Sequence, residues 1–116
     1  MIHNLNYWSP FPIDQDGYLS PTFQDILART RSGSALPWHI TLNQYYFRPE
    51  WQLFDRKEDP QERVNVADKP RYGRVLEEMR KELHSWLNVT QDPWICSPHA
   101  VLEKQSGNTI CMELLN

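Results

Sequence analysis

The clearest periodicity in the chain runs from Pro70 to about Leu87. Tyr72, Val75, Leu76, Met79, Leu83, Trp86 and Leu87 recur at three- and four-residue spacing, which places them on one side of an α-helix. Arg74, Glu78, Lys81, Glu82 and Ser85 fall on the other side, and Glu77 precedes Lys81 by four residues, the favourable order for an ion pair. A Met-and-aromatic stripe at this spacing is a packing surface, so the helix is expected to lie across a sheet or another helix. A shorter helix is expected from Ser20 to about Arg29. Ser20 stands at the N-cap, Pro21 at the first helical position, and Phe23, Ile26 and Leu27 follow at helical spacing.

Strand patterns are shorter. His3 to Trp8 alternates, with Leu5 and Tyr7 on one side and Asn4, Asn6 and Trp8 on the other. Nothing precedes this strand, so its partner must be later residues or residues outside the chain. Ser9-Pro10-Phe11-Pro12 ends it, Asp14 to Gly17 reads as a turn, and Arg31 to Ser34 as a loop. Two aromatic-rich segments, Gln44 to Arg48 and Glu50 to Asp55, have strand character and are separated by Pro49. A charged turn from Asp55 to Pro60 follows, and Asp68 with Pro70 is expected to cap the long helix. After Asn88 the pattern is that of an extended tail with a short segment at Val101, Leu102 and Glu103.

Composition bounds what such elements can do. The chain has 116 residues, 40% hydrophobic and 12% aromatic, which is a globular composition with room for one modest core. Nine Pro against four Gly predict rigid irregular connections rather than repeated tight turns. A net charge of −3 and a pI near 5.7 exclude the basic footprint of a nucleic-acid binder. No apolar run approaches the roughly 18 residues that would cross a bilayer. Met1 to Asn6 has neither the basic nor the apolar region of a secretory leader.

The candidate chemistry is sparse. Cys96 and Cys111 close a local loop compatible with a disulfide, while Cys96-x-x-His99 with Cys111 would offer three of the four ligands of a structural zinc. Asn88-Val89-Thr90 is an N-glycosylation acceptor tripeptide. Asp14-x-Asp16-Gly17 opens like a calcium loop but has no closing Glu, which makes a solvated turn the simpler reading. His3, His39, His84 and His99 are scattered and have no acid partner in sequence. There is no G-x-S-x-G, phosphate loop or dinucleotide fingerprint. No catalytic and no metal-binding residue is therefore assigned, and substrate contacts are unassigned.

One segment is more specific. Trp51-Gln52-Leu53-Phe54-Asp55, Asp59-Pro60-Gln61-Glu62 and Asn65-Val66-Ala67 resemble the W-E-L-Y-D-x-x-x-D-P-x-E-x-x-N-L-A stretch found towards the end of many sulfatases. His3 to Asn6, Pro10 to Asp16, Ser20 to Asp25 and Asp92 to Pro98 are similar, more narrowly, to the branch of that family that degrades heparan sulfate. The resemblance extends from His3 to Asn116. It implies an α+β fold, the C-terminal subdomain of a sulfatase: a small antiparallel sheet with one long helix packed across it. Residues 1–43 would be the lead-in from a catalytic domain lying outside this chain, and 44–116 the subdomain with a disulfide-closed tail. The family's nucleophile is a formylglycine made from a C-x-P-S-R cysteine beside a calcium ion. Here Cys96-Ser97-Pro98-His99-Ala100 has His-Ala where Ser-Arg is required. The resemblance therefore implies a Cys96–Cys111 disulfide, no cofactor in this chain, and calcium only in the intact enzyme. Its partners would be the rest of the catalytic domain and a second copy in the family's homodimer. The intact enzyme's substrate would be heparan sulfate and its compartment the lysosome, with Met1 an internal or alternative start. The competing expectation is a free-standing glycan- or protein-binding module, for which Arg29-Thr30-Arg31 and Arg71 with Arg74 are the only basic candidates.

Overall fold

Ser20 and Pro21 start a helix as their types require. In a computed structural model, which describes residues 1–113, the Ser20 hydroxyl accepts the Phe23 N–H at 3.2 Å and Pro21 is the first helical residue. This element, α2 (Pro21–Ser32), follows the short α1 (Gln15–Leu19) and runs a few residues past the expected Arg29. It stops at Gly33, whose φ of 68° is the left-handed conformation that closes a helix and favours glycine. Phe23 and Ile26 are its buried residues, and Ile26 is fully enclosed.

The segment expected to be a strand at Gln44 to Arg48 is instead helical, α3 (Leu42–Tyr46). A capping box decides it: the Gln44 N–H donates to the Thr41 hydroxyl at 3.1 Å and the Thr41 N–H to the Gln44 side chain at 2.8 Å. Local hydrogen bonding outweighs the β preference of Tyr45, Tyr46 and Phe47. Tyr45 then packs in an aromatic cluster with Trp38 at 5.3 Å, Phe11 at 5.9 Å and Phe23 at 6.1 Å between ring centres. The Arg48 guanidinium lies 4.0 Å from the Phe11 ring centre. These helices form one unit, residues 6–50.

The other unit joins residues 1–5 to residues 51 onward. The expected first strand is only β1 (Ile2–His3), and its partner lies within the chain: β2 (Trp51–Gln52), antiparallel, with Ile2 opposite Gln52 and His3 opposite Trp51. The His3 ring stacks on Trp51 at 3.8 Å. Leu53 and Val66 are buried, and the Val66 N–H donates to the Leu53 carbonyl at 2.8 Å.

The long helix is present. A single 3-10 turn at Pro70–Tyr72 leads into α4 (Gly73–Val89). Lys69 takes the cap position of that turn and Tyr72 that of α4, neither with a side-chain bond, so Asp68 is not the cap of the long helix. Glu77 and Lys81 pair at 3.7 Å as expected, and Arg74 with Glu78 at 2.9 Å. Arg80 sets its guanidinium 4.7 Å from the Trp51 ring centre and so ties α4 to β2. The expected extended tail is a hairpin, β3 (Ala100–Gln105) and β4 (Asn108–Glu113). Its two turn residues, Ser106 and Gly107, both have positive φ, which is the turn geometry that matches strand twist. The fold is α+β, with two separate two-stranded antiparallel sheets where one small sheet was expected. Residues 114–116 of the expected 44–116 subdomain lie outside the described residues.

Candidate functional site

The polar residues of the segment from Trp51 to Ala67 converge on its own backbone. Asn65 uses both ends of its amide: Nδ2 donates to the Trp51 carbonyl at 3.1 Å, while Oδ1 accepts from the N–H groups of Leu53 at 2.9 Å and Ala67 at 3.1 Å. Asp59 accepts the Val64 N–H at 2.7 Å. Asp55 accepts the N–H groups of Lys57 and Glu58 on one oxygen and the Tyr72 hydroxyl at 2.8 Å on the other. The Tyr72 bond, with the Glu58 and Lys57 N–H groups and the Arg71 charge behind it, holds the Asp55 carboxyl below its ordinary 3.8. The same bond raises the Tyr72 phenol above its ordinary 10.0. A carboxylate committed this way is a clip for a turn and is not poised to take a proton from a substrate.

The cysteines settle the next alternative. Cys96 is buried at the end of a 3-10 turn, Pro93–Cys96, that Asp92 caps through the Trp94 N–H at 2.8 Å. Its sulfur is bonded to that of Cys111 on β4, with Cα atoms 5.4 Å apart. Joined sulfurs are not zinc ligands, and Cys96 is not available for conversion to a formylglycine. Among the described residues no three His, Cys, Asp or Glu side chains gather to hold a metal. Asp14 stands at the N-cap position of α1 without a side-chain capping bond and Asp16 lies in its first turn, two carboxylates that fall short of the roughly six to eight oxygens a calcium ion takes. Asn88 is exposed in the last turn of α4.

The 6–50 unit contains a cavity of about 710 Å³ lined by the aromatic side chains of Phe11, Trp38 and Tyr45 and by polar ones, Asp14, Asp16 and Thr22 among them. Ser20 also borders it, but its hydroxyl is spent: it accepts from Phe23 and donates to the Gly17 carbonyl at 2.7 Å. The cavity is therefore mixed in character, and Ser20 is not an activated nucleophile in it. Of the basic candidates, Arg29 pairs with Asp25 at 2.7 Å, Arg74 with Glu78, and Arg71 with the Tyr72 hydroxyl at 2.8 Å. Three of the four candidate arginines are thus already engaged by side chains of this chain.

The largest unsatisfied feature is α4. Seventeen residues long and amphipathic, it contains no buried residue. Leu76, Met79, Leu83 and Leu87 are half-buried, and Val75 and Trp86 are 46% and 58% exposed. No protein-family model matches the chain. It is 50% identical over 105 residues, 90% of its length, to human N-sulphoglucosamine sulphohydrolase. The chain is similar to the C-terminal part of a sulfatase. A second sulfatase, described as ulvan-active, from Formosa agariphila, is 40% identical over 76 residues, 62% of the chain. The sulfatase-like chain spans 21% of the human protein and 12% of the bacterial one. The resemblance seen in the Trp51–Ala67 segment thus extends along most of the chain, and the hydrogen bonds above explain that segment as scaffold. The sequence pattern marked its polar residues but not their role, because Asp and Asn side chains that bind backbone look like surface residues in a linear reading.

Proposed function

We propose that this chain is the C-terminal support of a lysosomal sulfamidase that removes the N-sulfate of heparan sulfate glucosamine, and that it is inactive by itself. The observation that carries the proposal is α4. An amphipathic helix that long normally buries its stripe, and here the stripe stays half open. The occupant is the remainder of the same polypeptide, since relatives of this sequence carry some four-fifths of their length outside the matched region. Similarity to the human sulfamidase supports the substrate class and the compartment, and the disulfide supports passage through an oxidising compartment. Nucleophile, calcium and homodimer contacts expected of the family belong to the whole enzyme. This chain contributes the Asp55–Asn65–Tyr72 clip, which holds β2 and the start of α4 in one geometry.

The test uses the full-length protein that carries this sequence. Met79→Glu and Leu83→Glu, on the stripe, should abolish folded, active sulfamidase, whereas Lys81→Glu and Ser85→Glu on the polar face should leave turnover unchanged. Equal effects on the two faces refute the docking. Turnover of an N-sulfoglucosamine substrate by the purified 116-residue chain refutes the assignment of a supporting role.

A further inference from the structure

The acceptor tripeptide Asn88-Val89-Thr90 sits on α4 in a way that bears on the same helix. At about 100° per residue, Leu76, Met79 and Leu87 lie within about 40° of Leu83 around the helix axis, while Asn88 lies about 140° away. Asn88 shares its side with Lys81 and Arg74, both exposed and both facing carboxylates on the polar surface. Val89, the middle residue, is 80% exposed. The Thr90 hydroxyl donates to the Trp86 carbonyl at 2.8 Å and so caps the helix end. The Cys96–Cys111 disulfide a few residues later fits an oxidising compartment such as the one in which N-linked oligosaccharides are transferred.

We propose that Asn88 carries an N-linked glycan, and that this glycan marks the solvent side of α4 opposite its docked stripe. The bond formed joins Asn88 Nδ2 to the anomeric carbon of an N-acetylglucosamine. The bond broken is the one from that carbon to the pyrophosphate of a lipid-linked oligosaccharide donor. Nδ2 gives up one proton and the lipid pyrophosphate leaves with the electron pair. One helix thus carries two incompatible surfaces on opposite sides, an apolar face excluded from water and a glycosylated face that must remain in it. This inference rests on the secretory routing proposed above, and the test separates the two.

Full-length protein is isolated from eukaryotic cells, and the peptide containing Asn88 is analysed after peptide N-glycosidase treatment in heavy-oxygen water. Labelled conversion of Asn88 to Asp is expected, with complete loss in Asn88→Gln and Thr90→Ala and retention in Thr90→Ser. An unmodified Asn88 in protein whose Cys96–Cys111 bond is formed overturns the glycan and leaves the routing intact. An unmodified Asn88 with both cysteines reduced overturns both. The opposed faces are tested by Leu83→Asn, which by itself creates a second acceptor tripeptide ending at Ser85. Full-length protein with that change is expected to be glycosylated there and held in the endoplasmic reticulum, while the non-acceptor control Leu83→Gln leaves that compartment at a higher level. Exit of the doubly glycosylated protein from the endoplasmic reticulum at the unsubstituted level overturns the placement of the stripe.

Discussion

Replacing Asn65 with Ala removes three hydrogen bonds at one stroke. The Leu53 and Ala67 N–H groups and the Trp51 carbonyl lose their partner, and Leu53 is a buried residue with little water to replace it. At about 1 kcal/mol net for each bond the local structure should lose about 3 kcal/mol. Since about 1.4 kcal/mol is a factor of ten, opening of the β2 segment should rise roughly a hundredfold. Hydrogen exchange at the amides of Leu53 and Val66 in the full-length protein reads this directly. Gln52→Ala is the control, because it loses one side-chain bond, from Asn4 at 3.1 Å, and should raise exchange only by about fivefold. If the two substitutions accelerate exchange equally, Asn65 is not the clip described here and the account of the sulfatase-like segment fails.

Further consequences can be checked in parallel. The lowered Asp55 carboxyl favours the folded state above pH 3.8 and loses that contribution as pH falls through its folded value. The raised Tyr72 phenol favours it below pH 10.0 and loses its contribution above. Tyr72→Phe should therefore flatten both limbs of a stability-versus-pH curve, and an unchanged acid limb would contradict the bond. Cys96→Ser with Cys111→Ser opens a 15-residue separation and should destabilise the tail by about 3 kcal/mol, seen as faster proteolysis within residues 100–113. Gly33→Ala, at φ 68°, should lower the melting temperature through a cost of about 1 kcal/mol with nothing nearby to clash, and a neutral result would exclude strain at that cap.

Both long helices were legible because each depends on signals within one or two turns. Ser20-Pro21 starts α2, and the stripe from Tyr72 to Leu87 defines α4. The misreading at Gln44 to Arg48 arose where aromatic β preference competed with a capping box at Thr41 and Gln44, and the shorter-range bonds won. The hairpin was hidden because Val101 to Met112 alternates weakly, although Ser106-Gly107 is a turn pair. The partner of β1 lies about fifty residues away, a separation no local pattern carries. Within the site, the disulfide was open to two readings in spacing alone and became definite once β4 brought Cys111 to Cys96. The exposure of the α4 stripe was not foreseeable at all, since periodicity shows which side is apolar and not whether anything covers it.

The central claim, that this chain is one part of a larger sulfatase and not a protein in itself, is tested most directly by the mass of the native polypeptide. A denaturing blot with an antibody raised against α4 (Gly73–Val89) should show a single product several times larger than 13.8 kDa. A native product confined to about 13.8 kDa would contradict it.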